Sequence, residues 1–168
     1  MKQFAKTALS LLTLVLLLTI LTGCAEIDTT QTENPKVEPT PSIFDGNCGI
    51  SASAEIGNNI INFPEIKITI TNTSDKDISA IQFYSVPYDV YGDKLYGLFA
   101  QNHLSTDTSI AVGETTTLTY QFLDQSVKNV ELYVYSVYFA DGTEWGNKDA
   151  PSYKIVKEAP TIEVTVVS

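Results

Sequence analysis

Arginine is absent from all 168 residues, and histidine and tryptophan occur once each. Nucleic-acid binding draws on a basic stripe in which arginine reads phosphates in bidentate fashion, so that class of partner is excluded. Cysteine is scarce as well, at two residues, Cys24 and Cys48. With one histidine (His103) and two thiols, a zinc centre lacks its usual ligand set. A serine triad would have a single candidate base in a polar loop, and no G-x-S-x-G surrounds any serine. Glycine-rich phosphate loops are missing. The loop acids Asp75 and Asp77, Asp89 and Asp93, and Asp141 and Glu144 lack the spacing of an EF-hand calcium loop. The same acids offer a carboxylate pair for glycoside hydrolysis, but no cleft signature accompanies them. The expectation is therefore no catalysis, no cofactor and no bound metal.

What is present begins with LLTLVLLLTILTGCAE at residues 11–26. Lys2 and Lys6 form a positive start, and Ala8 to Leu21 is an apolar run of 14 residues broken by Ser10, Thr13 and Thr19. A membrane-crossing helix needs about 20 apolar residues, whereas a secretory signal core needs roughly 7–15. Length alone leaves both readings open. The end of the run decides: Leu21-Thr22-Gly23-Cys24 resembles the lipobox of bacterial lipoproteins. Small residues there fit a signal-peptidase groove, and the Cys24 thiol supplies the sulfur of a thioether to diacylglycerol. The resemblance implies a signal peptide over 1–23 and a mature N-terminus at Cys24. The domain then sits outside the cytoplasm, on the outer leaflet of the cell membrane. The mature chain would carry 20 acids and 8 lysines, a formal charge of −12. Anionic headgroups repel such a body, so the lipid has to hold it.

Residues 24–47 are rich in Thr and Glu, with Pro35, Pro39 and Pro41. So few apolar groups cannot offset the entropy of ordering, and the segment reads as a disordered tether. Its root-mean-square reach is about 25 Å, enough to hold a domain clear of the headgroups. Cys48, its partner committed to lipid, reads as a small half-buried residue at the start of the first strand. Without lipidation, a Cys24–Cys48 bridge returns to consideration.

From 48 to 168 the chain reads as one domain of short alternating segments. Strands are expected at 49–56, 65–72, 78–91, 94–99, 114–122, 130–140 and 160–168, with a return strand that begins at Glu144 and Trp145. Ile66, Ile68 and Ile70 share one face of the second strand, and Leu118, Tyr120 and Phe122 point inward from the fifth. Pro87 marks a bulge or edge exit. Asp141-Gly142 reads as a two-residue hairpin turn with positive φ at both positions. No amphipathic helix of ten or more residues is visible. Seven to eight strands spaced in this way predict an all-β, immunoglobulin-like antiparallel β-sandwich.

ITNTSDKDISAIQFYSVPYDVYGD and VYSVYFADGTEWGN resemble a family of small immunoglobulin-like domains in bacterial lipoproteins and exported proteins. The match covers roughly 50–146. That family is largely of unknown function, so the resemblance implies fold and export and transfers no catalytic residue.

Aromatic residues give the best functional lead. Tyr133, Tyr135, Val137 and Phe139 share one parity of a single strand, and Val130, Leu132, Val134 and Tyr138 the other. One set faces the core, so the second lies on an outer face, either as a patch for a protein or glycan ligand or covered by the C-terminal segment. Tyr133, Tyr135 and Trp145 are the candidate binding residues. The function this predicts is a lipid-anchored binding or interaction module. The alternatives are an accessory envelope lipoprotein docking to a membrane complex, or a small carbohydrate-active hydrolase.

Overall fold

Residues 42–97 and 99–167 are described by the computed structural model. The expected signal peptide (1–23), the expected lipid attachment at Cys24 and residues 25–41 of the expected tether lie outside the described residues, whereas residues 42–47, expected in the disordered tether, pack on the domain with Phe44 buried.

Alternating apolar residues build the first sheet. β1 (Ile50–Asn58) and β2 (Pro64–Asn72) form a hairpin that sets Ile56 against Ile66, Ala54 against Ile68 and Ala52 against Ile70. Ile66, Ile68 and Ile70 are fully buried, as their period-two spacing predicts. β5 (Thr115–Gln121) adds to the far side of β2. Thr69–Thr117 and Thr71–Thr115 hydroxyl pairs lie on the outer face at 3.2 and 2.8 Å.

The second sheet holds β3 (Ile78–Tyr88), β4 (His103–Thr106), β6 (Asn129–Phe139) and β7 (Glu144–Gly146). β8 (Thr161–Val166) starts beside β6 at Leu132↔Ile162, then runs along β1 from Ser53↔Glu163 to Ile56↔Val166. The strand order β4-β3-β6-β8-β1-β2-β5 is an immunoglobulin-like sandwich joined along one side by β8. One pairing differs from the expected antiparallel pattern, because β8 is parallel to β1. The two strands are distant in sequence, so no hairpin constrains their relative direction.

Two strand assignments change. Among the described residues of 94–99 there is no strand, and a Tyr88↔Lys94 bridge and a Leu95 N–H to Pro87 carbonyl bond (2.9 Å) are what joins them to β3. Gly97 at φ 119° breaks the extended path. The free edge of β3 is taken instead by His103–Thr106, where Leu104 is buried. Pro87 pairs in register with Val130, beyond the end of β4, and the bulges fall elsewhere. The hairpin after β6 also differs. Gly142 N–H bonds the Phe139 carbonyl, Phe139 N–H bonds Thr143, and only Gly142 has positive φ (83°). This is a three-residue Ala140-Asp141-Gly142 loop, a type I turn followed by a left-handed glycine.

A bulge in β6 decides which aromatics are core. Gln82 faces Ser136 and Phe83 faces Val134, which leaves Tyr135 unpaired and switches the strand's parity. Val130, Leu132 and Val134 before the bulge and Val137 and Phe139 after it all join the inter-sheet core. Tyr133 and Tyr135 go to the other face. The bulge also explains Gly146, whose backbone (φ 79°) passes so close to the Tyr135 carbonyl that a Cβ would collide with it. Gly146→Ala is expected to cost about 2 kcal/mol, limited because the short β7 can peel away. Gly142→Ala, with open space at its Cβ, should cost only about 1 kcal/mol from its left-handed backbone. Urea denaturation of the two variants checks the difference.

Tyr120 points inward from β5 as expected, but its hydroxyl is buried without a partner. Burial pushes its pKa up to about 12. The native state therefore holds the phenolic proton more tightly than the unfolded chain does. That share of stability is complete below pH 10 and is lost as pH rises toward 12. Tyr120→Phe removes the unpaired hydroxyl and is expected to stabilise by about 1 kcal/mol. It should also flatten the alkaline fall in Tm, which thermal scans between pH 8 and 12 measure.

Candidate binding surface

The outer face of the β4-β3-β6 sheet is where the expected binding residues fall, and most of it is covered. Pro151 supplies the fixed φ that starts α1 (Ser152–Glu158), and Pro160 follows shortly after its end. Seven residues are too few to hold a helix alone. Docking does so: Ile155 is fully buried against the sheet, and Phe44, Ala150 and Ala159 close in around it. The same second core contains Val86, Tyr133 and Tyr135, with Tyr84, Tyr88 and Trp145 packed at its margin.

The exposed patch expected at Tyr133 and Tyr135 is thereby corrected, since these residues are only 6% and 3% exposed. Their hydroxyls reach the rim, Tyr133 donating to Glu131 at 3.0 Å and Tyr135 meeting His103 Nδ1 at 3.0 Å. Burial, then the Glu131 hydrogen bond and charge, push the pKa values of Tyr133 and Tyr88 up to about 12. Trp145 is half-buried and acts as an anchor. Its Nε1 donates to the Asp45 carbonyl at 3.1 Å, and its ring lies 6.0 Å from that of Phe44.

Other chemistry-bearing groups serve the fold. His103 stacks edge-on against Tyr84 at 5.1 Å. Asp89 accepts the Tyr91 and Asp93 N–H groups at 2.8 and 2.9 Å. Asp77 accepts the Val112 N–H at 3.0 Å. Asp141 pairs with Lys76 at 2.7 Å and accepts from the Thr143 hydroxyl and N–H, and these bonds, Lys76 first, hold its carboxyl well below the usual range. Cys48 is half-buried at the entrance to β1, its thiol 3.6 Å from the Ile50 carbonyl.

Two concave regions remain open on this side. A groove of about 380 Å³ runs between α1 and the segment after β3, with Tyr84 and Val86 as floor and Tyr96 and Tyr153 as exposed walls. Lys94, Asn102 and Ser152 supply polar groups along it. A second recess of about 510 Å³ lies between Val90 and Glu131. Lys94, whose ammonium lies 5.7 Å from the Tyr88 ring centroid, stands between the two. Neither Tyr96 nor Tyr153 is among the binding residues expected from sequence: the pattern predicts Tyr96 within a strand at 94–99, and Tyr153 lies in no strand pattern. The single available signal was Pro-Ser-Tyr, a helix start too short to show a period.

No protein-family model and no curated protein matches the chain. Among solved structures it is similar to a DUF1425 family member from Shewanella sp. pv-4, at 21% identity over 51% of this chain and 75% of that one, with a TM-score of 0.40. It is also similar to the Northeast Structural Genomics Consortium target SoR45, at 10% identity over 62% and 91%, TM-score 0.39. A GH20 exo-β-N-acetylglucosaminidase from Vibrio harveyi matches at 10% identity over 71% of this chain and 18% of that one, TM-score 0.33. With these three TM-scores below 0.5, the fold assignment rests on the chain's own strand order, and no activity transfers.

Proposed function

We propose that the chain is a lipid-anchored extracytoplasmic binding module without catalysis of its own. The Cys24 thioether fixes it to the outer leaflet, the tether gives it reach, and the groove beside α1 takes a protein or glycan ligand of the envelope. The observation that carries this reading is the groove itself. Exposed Tyr96 and Tyr153 flank a tyrosine floor that a second core holds in place. Aromatic walls with a few fixed polar groups suit a ligand that presents both apolar faces and hydroxyls or amides. The engagement of Asp89 and Asp141 in their own turns and of Asp77 with the Val112 N–H of the β4–β5 connection supports binding over hydrolysis.

Titration of isotope-labelled protein with soluble peptidoglycan fragments, followed by NMR, tests the reading. Shifts are expected at Tyr84, Lys94, Asn102 and Tyr153. They should vanish in a Tyr96→Ser/Tyr153→Ser variant whose Tm is unchanged, both rings being exposed. Absence of shifts with glycan, peptide and whole-fragment pools alike, or shifts that persist in the variant, would defeat the groove assignment.

A further inference from the structure

Exposed apolar side chains are distributed unevenly over the sandwich. β1, β3, β5 and β8 all run toward one end, and that end gathers the β1–β2, β3–β4 and β5–β6 connections with the last residues of the chain. Bonds between these segments fix the grouping: Asn59 Nδ2 to Gln121 Oε1 at 2.9 Å, Lys128 N–H to the Tyr88 carbonyl at 2.8 Å, and Val167 N–H to the Ile56 carbonyl at 2.8 Å. Of the twelve exposed large apolar residues among those described, seven lie at this tip (Ile60, Ile61, Val90, Tyr91, Leu123, Val166 and Val167), while Tyr96 and Phe99 lie farther along the β3–β4 connection where it returns beside β3. At the opposite end Val112 stands alone among Asp75, Asp77, Asp107, Glu114 and Asp141.

These apolar tips are built rather than incidental. Asn59 Oδ1 accepts the Ile61 and Phe63 N–H groups at 3.1 and 3.0 Å, holding Ile60-Ile61 outward. Asp89 does the same for Val90-Tyr91 through its bonds to Tyr91 and Asp93. Beside Leu123, Asp124 accepts from Ser126 at 2.9 Å. In three separate connections an Asn or Asp adjoining the apolar residues locks the turn that displays them, so they cannot fold back onto the core. Isolated exposed apolar residues need no explanation, but a convergent, preformed set marks an interaction surface.

We infer that this end is a docking surface for a protein partner that presents an apolar patch ringed by lysine or arginine. The inference rests on the binding-module reading above, and charge chooses the occupant. Residues 42–168 carry 16 acids and 7 lysines, a formal charge of −9, and at the apolar end Asp89, Asp93, Asp124 and Glu131 outnumber Lys94 and Lys128. This acidic excess repels a second copy or an anionic bilayer and steers a cationic partner.

Photo-crosslinking in the host cell tests this, with benzoylphenylalanine placed at position 91, 123, 112 or 153 of the full chain. The same protein adduct is expected from 91 and 123 and not from 112. That protein, once purified, should bind with an affinity that falls as salt rises. Ile60→Ser/Tyr91→Ser should weaken binding at least tenfold with Tm unchanged. Adducts to a second copy or to lipid, equal capture from 112, or salt-independent binding would overturn the inference. Adducts from 153 alone would sink the apolar end while leaving the groove reading standing. No adduct from any position would remove both.

Discussion

Replacing Asn72 by alanine is expected to destabilise the domain by about 4 kcal/mol and to lower its Tm by about 15 °C. Asn72 is almost fully buried where β2 ends. Its side-chain amide donates to the Lys76 carbonyl at 2.8 Å and to the Ile110 carbonyl at 3.0 Å. Its side-chain oxygen accepts the Ser74 N–H at 3.0 Å and the Ser74 hydroxyl at 2.7 Å. Backbone bonds to Glu114 and Gly113 join the same residue to the loop before β5. Truncation leaves the Ser74 N–H without an acceptor, at about 1–3 kcal/mol, and removes three further hydrogen bonds worth about 0.5–1.5 kcal/mol each, although the Ile110 and Lys76 carbonyls keep the Ile78 N–H and the Ser74 hydroxyl. Asn72→Asp should give no rescue, because a carboxylate would face the two carbonyls. Urea denaturation and calorimetry measure the loss. A change below about 1 kcal/mol would mean that water replaces the amide without penalty.

Tyr135→Ala is the second large loss, about 4 kcal/mol, in the range for deleting a buried aromatic ring. The ring packs beneath α1 with Tyr133 and Ile155, so its removal opens a cavity at the point where the helix docks. Hydrogen exchange should accelerate over 150–159 more than in the inter-sheet core. Tyr135→Phe keeps the ring and loses only the bond to His103, so it should cost less than about 1 kcal/mol. Equal effects of the two substitutions would place the value of Tyr135 in its hydroxyl. Neither large would return the residue to the surface.

These two residues also show how far the sequence was legible. The β2 face was readable because Ile66, Ile68 and Ile70 recur every second residue and the strand has no bulge. In β6 the same arithmetic fails, since one extra residue at Tyr135 flips parity midway and sends Val137 to the core. Nothing in VELYVYSVYFA announces the bulge, because both parities are apolar. The helix covering Tyr133 and Tyr135 escaped notice for a different reason. Over seven residues a 3.6-residue period completes barely two turns, and Ile155 is its one fully buried contact. The edge strand at His103–Thr106 is hard to see in sequence because four residues of mixed polarity carry little alternation, and its pairing depends on β3 having a free side. The turns were more transparent in identity than in geometry: Asp141-Gly142 marked the hairpin, yet loop length was set by the Phe139–Thr143 pairing.

The central claim is that this sandwich works outside the cytoplasm, held by lipid at Cys24. Mass spectrometry of the N-terminal peptide, from protein isolated from the host membrane, tests it most directly. The account predicts a peptide that begins at Cys24 and carries a diacylglycerol thioether. A peptide that retains Leu21-Thr22-Gly23 ahead of an unmodified Cys24 would contradict it.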